Sequence, residues 1–357
     1  MEVLDCTLRD GGYVNDWFFS DEQVITLYEK LNNSGVDYME IGFKSIKSKE
    51  NLSKYGKLYF SDEEYINFLF KDLDENNKCK LAVMCQIDTT DINNFVPRSQ
   101  SKISLVRVLM AYHSIKNTTD DIIDYEMLDK GIELINNLIG LGYDVAFNIG
   151  RIDKLSKEQL FHICKKVANT DIKYFYMADT YGSTDIKSTI DYVSTVKFLF
   201  YEMFNKKNIK IGFHAHNNYK NATCKAIHSF SCGATIVDGC IHGFGRGSGN
   251  ASTELILLDL NVNYSHNHDI VSLFEYGQKY LKGCKNSNNL FGYDDIIYIL
   301  SAYYGAHVNY AIEVIDNEKS YNYSLSFVDK IYQQITDQKK QMFYDSKLIK
   351  LTAEKLN

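Results

Sequence analysis

The stretch IKIGFHAHNNYKNA, residues 209–222, begins as an apolar run, places two histidines one residue apart, and dissolves into a polar turn. Side chains alternate across a strand, so His214 and His216 share one side while Phe213 and Ala215 share the other. A helical pattern follows, and then a second apolar run, TIVDGCIHG (235–243). Strand, helix, strand is the repeating unit of a parallel sheet.

The same unit recurs on the N-terminal side. Short apolar or β-branched runs lie at Glu2 to Leu4, YMEIGF (38–43), LAVMCQI (81–87), LVRVLMA (105–111), DVAFNIG (144–150) and YFYMAD (174–179), which with 209–216 and 235–243 makes eight. Helix starts between them are written as capping boxes at Ser20/Gln23, Ser61/Glu64 and Ser156/Gln159, where hydroxyl and carboxamide or carboxylate satisfy exposed amides reciprocally. Eight strand–helix units, with no G-x-G-x-x-G phosphate loop after the first strand, favour a closed (β/α)8 TIM barrel over an open doubly wound sheet. After about residue 265 the strands stop. DIVSLFEYGQKYL (269–281), YDDIIYILSAYYG (293–305) and SLSFVDKIYQQITDQKKQMF (324–343) read as helices. The α/β barrel is therefore expected over 1–265 and a C-terminal helical region over 266–357, divided in the polar stretch NVNYSHNHD (261–269).

Composition narrows the function. Of 357 residues, 45% are hydrophobic and 24% charged, which fits a folded chain with a sizeable core, and the net charge of −7 with no basic stripe argues against nucleic acid. No uncharged apolar stretch is long enough for a membrane span and no secretory leader is evident, so a cytoplasmic protein acting on small molecules is expected. The eight cysteines lack a C-x-x-C pair and read as reduced thiols.

In such barrels the chemistry collects at the C-terminal ends of the strands. His214 and His216 end the seventh run. Asp10 ends the first, which neighbours the eighth in a closed barrel and lies close to the seventh, and can supply a carboxylate. Asn250, after the eighth run, can supply an amide oxygen. Two imidazoles with one or two oxygens suit Mn²⁺, Co²⁺ or Zn²⁺ and tolerate Mg²⁺. The bland alternative for the histidines is packing. A second H-x-H, in SHNHD (265–269), has no strand to aim it and reads as solvated surface.

LDCTLRDGG (4–12), YMEIGF, ADTYGS (178–183), GFHAHNN (212–218) and GFGRGSGN (243–250) together resemble the DRE-TIM metallolyase superfamily, which includes 4-hydroxy-2-oxovalerate aldolase, hydroxymethylglutaryl-CoA lyase, and isopropylmalate and homocitrate synthases. The resemblance covers residues 1 to about 260, and the C-terminal YILSAYYGAHVNY (298–310) is most similar to the aldolase branch. It implies a divalent metal, Mn²⁺ first among the candidates, on Asp10, His214 and His216, with Asn250 as a further ligand. It also implies that Arg9 polarises an enolate oxygen, with Glu40 and Asp179 at acidic site positions. A metal-dependent aldolase acting on a 2-oxo acid of the 4-hydroxy type is the expected function, with a homodimer and a partner dehydrogenase implied. The alternatives are an acyl-CoA lyase or Claisen-type synthase and a non-catalytic barrel subunit or scaffold.

Three departures bear on the subclass. The synthases carry RDGEQ where this chain has RDGGY, the aldolases have a histidine base where Tyr13 stands, and the lyase's glycine-loop cysteine is missing. Tyrosine, with an ordinary pKa near 10, is a poor base at neutral pH. His242, at the end of the eighth run, is the expected replacement, and Tyr181 a further substrate contact.

Overall fold

The computed structural model describes residues 1–73, 76–111, 124–284, 297, 298, 301, 304–321, 325–337, 344, 345 and 347–356. Eight parallel strands close into a barrel in sequence order: β1 (Glu2–Asp5), β2 (Tyr38–Phe43), β3 (Lys80–Gln86), β4 (Ile103–Met110), β5 (Asp144–Ile149), β6 (Tyr174–Asp179), β7 (Lys210–Ala215) and β8 (Ile236–Gly239). β1 seals the ring against β8, with Glu2 opposite Ile236 and Asp5 opposite Gly239. The outer layer is built from helices α1 (Thr7–Asn15), α2 (Asp21–Asn33), α3 (Lys49–Lys54), α4 (Glu63–Leu69), α5 (Tyr125–Gly140), α6 (Lys157–Val167), α7 (Ile186–Phe198), α8 (Ala222–Cys232), α9 (Thr253–Tyr264) and α10 (Ile270–Tyr276).

Capping boxes start α2 at Ser20 and α6 at Ser156, as the sequence suggests. The expected box at Ser61 is absent. Ser61 has φ +42°, its hydroxyl donates to Leu58 O, and α4 begins one residue later with Asp62 at the cap.

Strand residues pointing inward stack in layers drawn from alternate strands. One layer takes Glu40, Arg107, Tyr176 and Asp238 from β2, β4, β6 and β8, all buried. This layer is charged where most barrels are apolar, and it lies directly under the C-terminal mouth.

Leu273, Tyr276 and Leu281 belong to the same apolar core as the barrel. The hydroxyl of Ser34 donates to Asp269 O, and Tyr276 OH donates to Gln23 O, which fastens α10 to α2. Further along, Tyr310, Val314, Val328, Ile331, Tyr332 and Ile349 form a second, smaller cluster among helices Val308–Tyr321, Leu325–Asp337 and Leu348–Leu356. Of the expected helix over 293–305, residues 293–296, 299, 300, 302 and 303 lie outside the described residues, as do 324 and 338–343 of the last stretch. No helix among the described residues is long and apolar enough to cross a membrane.

Candidate metal centre and active site

The C-terminal mouth encloses a cavity of about 140 Å³ whose walls include Arg9, Asp10, Tyr13, His214, His216 and Arg246. A larger hollow of about 600 Å³ lies at the opposite end, around Lys80, Ser104 and Asp144, where strands begin. Among the described residues, groups of metal-ligating atoms close enough to share one ion occur at Asp10, His214 and His216, and at Cys6, His214 and Asp238. Both lie at the mouth, so the chemistry favours the smaller cavity.

Asp10 sits in α1, one turn beyond the end of β1, and not on the strand itself. Its Oδ2 lies 3.9 Å from Nε2 of His214 and 3.9 Å from Nε2 of His216. The two imidazoles are 5.0 Å apart and nearly perpendicular. Three donor atoms at this spacing surround a point each can reach at ordinary coordination distance, about 2.0–2.2 Å. Asn250 completes the set. Its Nδ2 donates to Asp10 Oδ1 at 2.9 Å, while its Oδ1 is buried without a hydrogen-bond partner. An orphaned amide oxygen beside a carboxylate and two imidazoles is what a cation-binding site requires, since a buried acceptor without a donor is costly. The residues present fit a divalent ion.

The Cys6 group fits less well. Asp238 Oδ2 already accepts from Arg107 Nη2 at 2.6 Å and pairs with His214 Nδ1 at 2.9 Å, and the Cys6 thiol lies 3.4 Å from both Gly239 O and Cys240 Sγ. With Nδ1 held by Asp238, His214 presents Nε2 to the cavity, the usual way a carboxylate fixes the tautomer and aim of a ligating histidine.

Behind the ligands the charges close a ring. Arg9 Nη1 donates to Asp10 Oδ2 at 2.6 Å and Nε to Glu40 Oε2 at 2.7 Å, while Arg107 Nη1 donates to Glu40 Oε2 at 3.0 Å and Nη2 continues to Asp238. Arg107 also stacks over Tyr176, 4.2 Å from the ring centre. Burial works to raise the Asp10 carboxyl, but Arg9 and the two histidines hold it well below the usual range. Burial is the largest influence on His214 and lowers it, but Asp238 and Cys6 together outweigh burial and bring the ring up to about 9. His216 has no such carboxylate behind it, and burial takes it down to about 3.

The glycine loop after β8 lets backbone approach this set. A side chain at Gly245 would collide with Asn250 Nδ2 and Asp10 Oδ1, and Gly247 and Gly249 have φ of +66° and +89°.

Of the other expected residues, Arg9 and Tyr13 line the cavity, and Glu40 lies beneath it, reaching the site through Arg9. Tyr181 is also on the wall. Two residues are not brought in. Ala178 faces the mouth, so Asp179, next along β6, faces outward, where it accepts from Thr184 Oγ1 at 2.7 Å and pairs with the buried Lys225. His242 is turned away because β8 ends at Gly239. The chain then enters a short 3-10 turn, Ile241–Gly243, with His242 at φ +55°. Its ring packs against Phe274, 6.0 Å between centres, on the outer side of the barrel.

Four residues absent from the sequence-based expectations join the site. Arg107 and Asp238 support it from below, Arg246 comes from the glycine loop, and His307 arrives from the C-terminal helices. A charged residue inside an apolar strand was the available signal for the first two. Arg246 stood within the quoted GFGRGSGN motif, whereas His307 has no local signature.

In shape, the N-terminal domain of a Bacteroides vulgatus protein matches with a TM-score of 0.69 at 22% identity, covering 92% of this chain and 99% of that one. Hydroxymethylglutaryl-CoA lyase from Pseudomonas aeruginosa matches with a TM-score of 0.62 at 18% identity, covering 81% and 94%. Among curated relatives, 4-hydroxy-2-oxovalerate aldolase of Pelotomaculum thermopropionicum is 27% identical over 263 residues, 72% of this chain and 69% of the relative. The HMGL-like family model matches residues 1–278, and the chain belongs to that family of DRE-TIM metallolyases, whose members use a divalent metal.

Proposed function

We propose that this protein is a divalent-metal-dependent aldolase that makes or breaks a C–C bond beside the carbonyl of a small 2-oxo acid. The observation that carries the reading is the convergence of Asp10, His214, His216 and the orphaned Asn250 oxygen with Arg9 on one small cavity. Such a bond change passes through an enolate, whose oxygen gains negative charge. A divalent ion held by these residues, with Mn²⁺ the leading candidate, would supply Lewis acidity toward that charge.

The chain's own residues do the rest. Arg9 is fixed at both ends by Asp10 and Glu40, so its fork stands preorganised where the oxygen develops charge, and no reorganisation is needed during reaction. Gln86, Asn148 and Thr180 on the wall offer neutral polar groups to orient a small substrate. The lining imidazole outside the metal set is His307, whose Nδ1 accepts from Asn309 N–H at 3.1 Å, so the neutral ring carries its proton on Nε2 and serves as a hydrogen-bond donor to a substrate oxygen. His242 has no access to the cavity and drops out as the base.

The test is enolate formation itself. Mn²⁺-loaded protein is mixed with a panel of 2-oxo acids in D₂O, and deuterium uptake at the carbon beside the carbonyl is followed by NMR. Uptake that is lost on chelation supports the reading. Cleavage of a C–C bond in an acyl-CoA, with no exchange in any 2-oxo acid, would overturn it in favour of the lyase alternative.

A further inference from the structure

Arg246 is the cation at the mouth that enolate formation leaves unused. It projects from the glycine loop onto the cavity wall, half-buried, with its guanidinium 5.2 Å from the centre of the Tyr13 ring. Its backbone N–H donates to Asp10 Oδ1 at 3.4 Å, which ties the loop to the metal set. Tyr13 is in turn wedged edge-on against Trp17 and Phe43, with ring centres at 4.7 and 6.2 Å. The guanidinium thus rests on a rigid aromatic shelf, a common support for arginine. Among the described residues it forms no ion pair, in contrast to Arg9, Arg107 and Arg151.

The charges at the mouth make this informative. Arg9, Arg107 and Arg246 oppose Asp10, Glu40 and Asp238, so the fixed charges of the site cancel, and a divalent ion leaves an excess of two positive charges. Uncompensated charge in a partly desolvated pocket is costly, and the natural compensation is the ligand. A 2-oxo monoacid supplies one negative charge, at the end bound by the metal set. We propose that Arg246, seated on Tyr13, binds a second anionic group of the substrate, so that the substrate class is a 2-oxo acid carrying a distal carboxylate. This rests on the 2-oxo acid reading of the same site. It gives Tyr13 a purpose, since a tyrosine at this position holds the specificity arginine in place and need not act as a base.

The experiment measures binding to Mn²⁺-loaded protein by isothermal titration, with oxaloacetate and 2-oxoglutarate as dicarboxylates and pyruvate and 2-oxobutyrate as monocarboxylates. Wild type should bind a dicarboxylate about 10- to 100-fold more tightly than either monocarboxylate, the effect of one hydrogen-bonded charge pair. Arg246→Gln should erase that preference, and Arg246→Lys should restore part of it. Since Arg246 is half-buried and outside the core, a native thermal midpoint in both variants is expected and is checked first. If wild type binds mono- and dicarboxylates equally, or Arg246→Gln keeps the preference, the second-anion assignment is wrong although the 2-oxo acid reading stands. If neither class binds in a metal-dependent way, that reading falls and this inference with it.

Discussion

Asp238→Asn perturbs the site without touching the cavity wall. Oδ2 of Asp238 accepts from Arg107 at 2.6 Å and is paired with His214 Nδ1 at 2.9 Å, and both partners are buried. The carboxamide keeps the shape but removes the charge, leaving Arg107 with Glu40 alone and pointing either an amide N–H₂ or a single neutral oxygen at two donors. Removing one partner of a buried pair costs about 3–5 kcal/mol. For a chain of this size that corresponds to a fall in thermal midpoint on the order of 10 °C. His214 also loses the group that aims Nε2, and loss of such a supporting partner typically weakens metal binding about 10- to 100-fold. The assay is competition for Mn²⁺ against a chromophoric chelator at a temperature where circular dichroism shows the variant folded, alongside thermal melts. Reduced affinity and a lowered midpoint together are expected. A folded variant with unchanged metal affinity would refute the claim that Asp238 orients a metal-binding histidine.

Glu254 is buried, and burial pushes its carboxyl up from 4.5 to about 7. A carboxyl raised on folding destabilises the fold where it is ionised in both states. Wild type should therefore lose on the order of 3 kcal/mol relative to Glu254→Gln as pH rises from 4.5 through 7, because holding a carboxyl one pH unit above its unfolded value costs about 1.4 kcal/mol. Denaturant midpoints of both proteins at several pH values across this window check it, and parallel pH trends would contradict it. His242→Gln should leave metal and 2-oxo acid affinity unchanged, since the ring packs against Phe274 outside the barrel, whereas His307→Gln should lower the rate of deuterium exchange with metal affinity intact. Arg9→Lys should impair exchange far more than folding, because a point charge cannot bridge Asp10 and Glu40 as the planar fork does; wild-type exchange in that variant would remove Arg9 from the chemistry. Truncation before Ile270 strips Leu273, Tyr276 and Leu281 from the barrel core and should cause aggregation, which light scattering would detect.

The barrel was legible because its strands are apolar runs at regular intervals, and the histidine pair because a period of two leaves little choice of side. The same period could have excluded Asp179, since Ala178 beside it must take the mouth if Asp179 does not. His242 misled for a local reason. The run 235–243 continues apolar past the last ladder residue, and nothing in it announces that the backbone turns left-handed after Gly239. Arg107 and Asp238 were visible as charges in apolar strands, but their partners lie on strands distant in sequence, so a ring of six side chains is apparent only once the barrel closes. His307 depends on how the C-terminal helices seat over the mouth, which no short-range pattern encodes.

Every chemical step proposed for this protein depends on one divalent ion held by Asp10, His214 and His216. The most direct measurement is the metal content per chain after chelation, reloading with Mn²⁺ and desalting, for wild type, Asp10→Asn, His214→Ala and His216→Ala. One ion per chain in wild type and a marked loss in each variant is the expected result. Full occupancy in His214→Ala and His216→Ala alike would contradict it and send the search for the metal elsewhere in the chain.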